Sequence, residues 1–193
     1  MRIITGTARG MNLAAPEGES TRPTSDRAKG AIFSAIQFDI EGRVVLDLFA
    51  GSGQLGLEAL SRGAQKAVFC DADPAAAEIV KQNCKKTRCF KESNVICCDY
   101  REYIRGAAVA GDRFSLVFID PPYAKRLHCD ALRKIYEAGI LTPDAIVICE
   151  TDTDAVFAED TALEEYYTLV RRYKAGKAYM FLLEPKNKEE DLA

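Results

Sequence analysis

Between residues 44 and 150, short apolar runs alternate with stretches whose apolar residues recur every three or four positions. Val44-Val45-Leu46-Asp47-Leu48-Phe49 reads as a buried strand closed by Ala50-Gly51-Ser52-Gly53. Gln54 to Arg62, with Leu55, Leu57, Ala59 and Leu60, reads as a helix stopped by Gly63. Lys66 to Asp71 is a second strand. Asp73-Pro74 then opens a helix to Lys86, with an acid at the cap and proline in the first turn. Asn94 to Cys98 predicts a third strand and Asp99 to Arg105 a helix; Phe114 to Ile119 is the fourth strand. His128 to Ala138 predicts a helix and Ala145 to Glu150 the fifth strand. Strand and helix in strict alternation predict an α/β fold, a parallel sheet covered by helices on both faces.

The ends depart from this rhythm. Tyr166 to Tyr173 and Lys177 to Leu183 have no helix between them and are joined by Ala175-Gly176, so an antiparallel hairpin is expected at the sheet edge. Thr151 to Glu165 carries six acids and no Lys or Arg, the pattern of a solvated loop and helix. At the other end, Arg2 to Gly6 reads as a strand and Thr24 to Gln37 as a helix with Ala28, Ala31, Ile32, Ala35 and Ile36 on one face. The expected organisation is an N-terminal appendage (1–43) docked on an α/β body (44–184), with a charged, frayed tail (185–193).

Composition narrows the class. The chain has 193 residues, enough for one core and too few for two domains. A net charge of −3 excludes a globally basic nucleic-acid binder but leaves room for a local patch, such as the +2 excess over the first 30 residues. Seven cysteines form no Cys-x-x-Cys pair, and His128 is the one histidine, so spacing predicts no metal site. Unpaired thiols within apolar runs point to buried small hydrophobes in a reducing compartment. No apolar stretch approaches the roughly 20 residues of a spanning helix, and no signal segment follows Met1. A cytoplasmic protein without membrane contact is expected.

Candidate chemistry starts at Gly51-Ser52-Gly53-Gln54-Leu55-Gly56, a G-x-G-x-x-G between a strand and a helix, with Asp71 at the tip of the next strand. Glycines let the backbone approach a ligand, and a carboxylate at that tip accepts ribose hydroxyl protons. A nucleoside-bearing cofactor follows. The motif alone leaves a dinucleotide and S-adenosylmethionine both open, although Asp47, four residues before Gly51, suits an ammonium better than a pyrophosphate. Asp99, beside Tyr100, stands where an adenine amine is read.

Asp120-Pro121-Pro122-Tyr123 directly follows the fourth strand. Two prolines stiffen the turn, so a carboxylate, a carbonyl and an aromatic ring are held together. That set suits a planar base with an exocyclic amine: Asp120 and the Pro121 carbonyl accept its two N–H bonds and Tyr123 stacks on the ring.

Leu46-Asp-Leu-Phe-Ala-Gly-Ser-Gly53 together with Asp120-Pro-Pro-Tyr123 resembles the paired motifs of S-adenosylmethionine-dependent amino methyltransferases. Arg22-Pro-Thr-Ser-Asp-Arg27, the run Phe49 to Gly63, and Ala175-Gly-Lys-Ala-Tyr179 narrow the resemblance to the RsmD family, which methylates the N2 amine of a guanine in 16S ribosomal RNA. The resemblance implies a Rossmann-like class I methyltransferase fold, a mostly parallel twisted sheet with an antiparallel edge hairpin. It implies Asp120, Pro121, Pro122 and Tyr123 as catalytic residues. It implies cofactor binding by Asp47, Phe49, Ala50, Gly51, Gly53, Asp71, Ala72, Asp99 and Tyr100. Asp71 stands where family members often carry Glu, so Asp73 could share the ribose. The expected partner is small-subunit ribosomal RNA or its assembly particle, met by a monomer through Arg9, Arg22, Arg27, Lys125 and Arg126, with Arg2 and Lys29 in the same basic group. Two rivals stay open. An NAD-dependent oxidoreductase would share the glycine spacing but leave Asp120 to Tyr123 unexplained. An adenine methyltransferase would share the tetrapeptide, though one acting on DNA usually needs an added recognition region.

Overall fold

The computed structural model describes residues 1–15, 26–122, 127–176 and 178–186. Seven strands form one sheet in the order β3-β2-β1-β4-β5-β7-β6. These are β1 (Val44–Asp47), β2 (Lys66–Asp71), β3 (Ser93–Cys97), β4 (Phe114–Ile119), β5 (Leu141–Thr151), β6 (Tyr167–Ala175) and β7 (Ala178–Pro185). The first five are parallel, and β7 runs antiparallel between β5 and β6. The helices are α1 (Asp26–Ala35), α2 (Gln54–Ser61), α3 (Pro74–Lys86), α4 (Tyr100–Ala110) and α5 (His128–Glu137). The sheet of mostly parallel strands with an edge hairpin is the one expected.

Alternation along each strand divides the core into two faces. Val45, Ala67, Phe69, Leu116, Phe118, Ile146 and Ile148 face α1, α2 and α3, where Ile32, Phe33, Leu57 and Val80 are buried. Their neighbours Leu46, Val68, Cys70, Val117, Ile119, Val147 and Cys149 face α4 and α5, with Ile104, Leu132 and Ile135. Burial on both faces explains why these strands read as continuous apolar runs. Five of the seven free cysteines are buried within the core.

Several boundaries differ from expectation, each for a local reason. Arg2 to Gly6 is not a strand: among the described residues it makes a single β-bridge, Arg2 to Asn12, with Ile3 bonded to the Met11 carbonyl and the Gly10 N–H beside it. Its N–H groups instead reach α2, Ile4 and Thr5 donating to the Glu58 carboxylate and Thr7 to the Ser61 carbonyl. The N-terminal segment thus shares the sheet's core through Ile3, Ala8 and Leu13. α4 runs five residues past Arg105, because Gly106 is tolerated before an alanine-rich turn and the stop comes at left-handed Gly111. β5 begins at Leu141 rather than Ala145. The register slips between Phe114 and Leu116, and this irregularity accommodates Pro143, which lacks an N–H. The acidic stretch before β6 contains one short 3-10 turn, Thr161–Glu165.

Candidate active site

The strand order reverses between β1 and β4, both starting points of outward-running connections, and such a switch point leaves a crevice at the strands' carboxyl ends. β1 and β4 pair up to Asp47 beside Phe118, and the Leu48 N–H continues the ladder to the Phe118 carbonyl at 3.1 Å. The glycine loop after β1 and the Asp120-Pro121-Pro122 turn after β4 therefore leave the sheet side by side. Pro121 is buried, Asp120 half-buried and Pro122 exposed. Tyr123, Lys125 and Arg126 lie outside the described residues, as does Arg22, and the Arg27 side chain is likewise not described.

The three glycines serve different purposes. Gly51 has φ +52°, and a Cβ built there meets nothing within 4 Å, so this residue borders open space. A Cβ on Gly56 would sit 2.4 Å from the Phe69 ring, and one on Gly53 3.1 Å from Val80. Those two permit close packing of α2 on β2 and α3. Gly53 caps α2 in the left-handed region without a side-chain hydrogen bond.

Carboxylates organise the loop. Asp71 Oδ2 accepts the Gly51 N–H at 2.7 Å, and its Oδ1 accepts the Asp73 N–H at 2.9 Å. Asp73 itself caps α3, its Oδ1 accepting from Ala75 N at 2.9 Å. Asp47 is 1% exposed, and its Oδ2 accepts the Gly56 N–H at 3.0 Å. Burial pushes its carboxyl up to about 7, the Gly56 bond opposing and the Asp71 charge adding. Ala50 is buried, donating to the Cys70 carbonyl at 2.9 Å, whereas Ala72 is exposed.

Asp99 caps α4 through the Arg101 N–H at 2.8 Å and remains half-exposed. Tyr100 is buried with its ring 5.0 Å from Phe49, and its hydroxyl donates to Asp130 on α5 rather than facing the crevice. Lys29, grouped by sequence with the phosphate-binding cations, is corrected by the structure. It is fully buried, donates to the Arg2 carbonyl at 2.5 Å and pairs with Glu58 at 3.7 Å. Arg9 is exposed.

Three residues carry weight that spacing did not reveal. Glu58 gathers Ile4 N, Thr5 N, Lys29 and Arg62 onto α2. Buried Asn83 on α3 exchanges bonds with the Ala14 N–H and carbonyl and donates to the Ser52 carbonyl at 2.8 Å, tying the N-terminal segment to the glycine loop. Asp130 receives Tyr100 and Arg101, joining the first turns of α4 and α5. The partners that single them out lie 29 to 69 positions away along the chain, so no local pattern marks them.

The donor set discriminates between cofactors. A pyrophosphate at the α2 N-terminus would meet the Asp47 side chain beneath it, whereas an ammonium-bearing ligand finds acceptors. One more is Gln54 Oε1, buried at the first position of α2 without a hydrogen-bond partner among the described residues. An unmet buried acceptor is costly unless a ligand supplies the donor. The crevice thus fits a nucleoside carrying hydroxyls and an ammonium.

A family described as Conserved hypothetical protein 95 matches residues 1–184. The chain is 39% identical to the Bacillus subtilis protein YlbH, over 82% of this chain and 86% of that one. It is 34% identical to the ribosomal RNA small subunit methyltransferase D of Haemophilus influenzae, over 91% and 89% of the two chains. Among solved structures, the Escherichia coli protein yhhF superposes with a TM-score of 0.80 at 28% identity, covering 97% of this chain and 99% of that chain.

Proposed function

Because the chain belongs to this family, the RsmD family of methyltransferases, we propose that it moves a methyl group from S-adenosylmethionine to the N2 amine of a guanine in small-subunit ribosomal RNA. The observation that carries this reading is the adjacency, at the β1–β4 switch point, of a glycine loop lined with acceptors and a stiff Asp-Pro-Pro turn.

S-adenosylmethionine, when bound, supplies an electrophilic methyl on a sulfonium. Asp71 takes the ribose hydroxyls, while Asp47 and Gln54 Oε1 take the ammonium. Phe49 and Ala50 shape the floor of the loop, and Asp99 at the head of α4 reads the adenine edge. Ala72 sits at the exposed rim and Tyr100 supports Phe49 from behind.

An aromatic amine is a poor nucleophile because its lone pair is spread into the ring. Asp120 and the Pro121 carbonyl accept hydrogen bonds from the two amine N–H groups and draw that lone pair out of conjugation. Tyr123 stacks on the base. The N–H becomes acidic once the nitrogen carries the methyl, so Asp120 hands the proton to water. Positioning and electrostatics therefore supply most of the barrier reduction. The guanine must leave its stack, at about a few kcal/mol, and exposed Arg9, with Arg22, Arg27, Lys125 and Arg126, holds the flanking phosphates.

The deciding experiment is mass mapping of ribosomal RNA nucleosides from cells lacking this gene. Loss of one N2-methylguanine from the small subunit is expected. An unchanged N2-methylguanine profile, with another methylated nucleoside missing, would transfer the activity to a different base.

A further inference from the structure

His128 and Cys129 open α5, directly after the segment that leaves the Asp120 turn, and Glu159 lies in the acidic stretch between β5 and β6. Thirty positions separate His128 from Glu159, so no spacing motif links them. In the fold, one imidazole nitrogen, the Cys129 sulfur and one Glu159 carboxylate oxygen all lie within 4.8 Å of one another. We propose that His128, Cys129 and Glu159 form a binding site for a divalent cation of the zinc class, separate from the methyl-transfer crevice.

The chemistry of the set favours that class. One nitrogen, one sulfur and one oxygen ligand suit a borderline-soft ion with no directional d-electron preference, whereas calcium and magnesium want oxygen alone. On binding, the thiol proton leaves for solvent and a sulfur–metal bond forms, with a water completing the fourth position. Tetrahedral metal–ligand bonds of about 2.0–2.3 Å set ligand atoms roughly 3.3–3.8 Å apart, so on binding the widest pair of the cluster closes by at most about 1.5 Å.

The two halves of the site are also held together without the ion. Arg133, one turn further along α5, donates through both Nε and Nη2 to Asp160, the neighbour of Glu159. Cys129 Sγ lies 3.8 Å from the Val156 carbonyl on the same stretch. This clamp fixes α5 against the segment that presents Glu159, so much of the ordering cost is met by folding. Cys149 pairs in register with Ile119 at the end of β4; burial pushes its thiol up, and Cys129 and Asp120 add to that rise. An ion here would anchor the first turn of α5 against the stretch that precedes β6.

Untagged, reduced and chelator-stripped full-length protein titrated with cobalt(II) tests the site directly. One equivalent is expected to bind with a thiolate-to-cobalt absorption band that zinc abolishes on displacement. The band should vanish in Cys129→Ser and persist in Cys97→Ser, since Cys97 is exposed on β3. Glu159→Gln, at an exposed position, should keep the metal-free melting temperature while weakening zinc by roughly tenfold or more. No saturable stoichiometric binding, a band that survives Cys129→Ser, or unchanged zinc affinity in Glu159→Gln would overturn the assignment. None of these readouts depends on methyl transfer.

Discussion

Asp71 Oδ2 accepts a hydrogen bond from the Gly51 backbone at 2.7 Å, so the acid at the tip of β2 shapes the loop at the tip of β1. One carboxylate sets the glycine turn and, in the proposed reading, offers its remaining lone pairs to a ribose. Asp71→Ala should weaken S-adenosylhomocysteine by about 10- to 100-fold, the worth of charge-assisted bonds. Asp71→Glu, which keeps the carboxylate, should recover most of that loss. Calorimetric titration of both variants tests this, and equal losses in the two would assign the effect to loop geometry alone.

The proposed mechanism separates Asp120 from the cofactor residues by role. Asp120→Ala should abolish methyl transfer, a loss on the order of 10² to 10⁴ in rate for a group that orients and polarises the acceptor. Cofactor affinity should stay within about twofold of the parent protein, because the loop after β1 is untouched. If affinity collapses in parallel with rate, the separation of roles fails.

Asp47 predicts a pH signature. Burial raises its carboxyl from the usual 3.8 to about 7 in the folded chain. Between those values the native state holds a proton that the unfolded chain has released. Stability from this group therefore falls as pH rises from about 4 to about 7, by up to ~1.4 kcal/mol per unit, and is level above. Asp47→Asn should remove that slope. Ligand binding should run the other way: an ammonium favours the ionised carboxylate, so cofactor affinity rises towards pH 7 in the parent chain and stays flat in the variant. Denaturant melts and titrations across this range measure both slopes, and parallel curves for the two proteins would mean that Asp47 is ionised throughout.

Glu58 and Lys29 form a buried pair within the latch that docks the N-terminal segment on α2. Removing one partner strands the other, so Glu58→Ala should cost about 3–5 kcal/mol. Replacing both with apolar residues of similar volume, Lys29→Met with Glu58→Leu, should recover part of that cost. Complete recovery is not expected, because Ile4 N, Thr5 N and Arg62 lose their acceptor too. Chemical denaturation of the single and double variants gives the comparison, and a double variant as weak as Glu58→Ala would locate the cost in the backbone bonds.

Most of the α/β body was legible along the chain. β2, α3 and β4 match their expected bounds, because each is closed by a strong local signal: the Asp73-Pro74 cap, the tip acid, the Asp-Pro-Pro turn. The expected strand at Arg2 to Gly6 failed for the opposite reason. Its apolar pair Ile3-Ile4 is local, yet the acceptor that claims its N–H groups, Glu58, is 54 residues away. Likewise Lys29 looked like a surface cation, since a lone lysine on a helix gives no sign that a buried carboxylate awaits it.

Periodicity, caps and turn residues are properties of neighbours along the chain, and they sufficed for the parallel sheet, the glycine loop and the proline turn. Which polar groups share a buried volume is decided by how distant segments pack. Only folding makes Asp47 a buried acid beneath α2, joins Asn83 to both the N-terminal segment and the glycine loop, and brings Glu159 to His128 and Cys129. In each case the energetics depend on removal from water, and burial belongs to the packed whole rather than to any single segment.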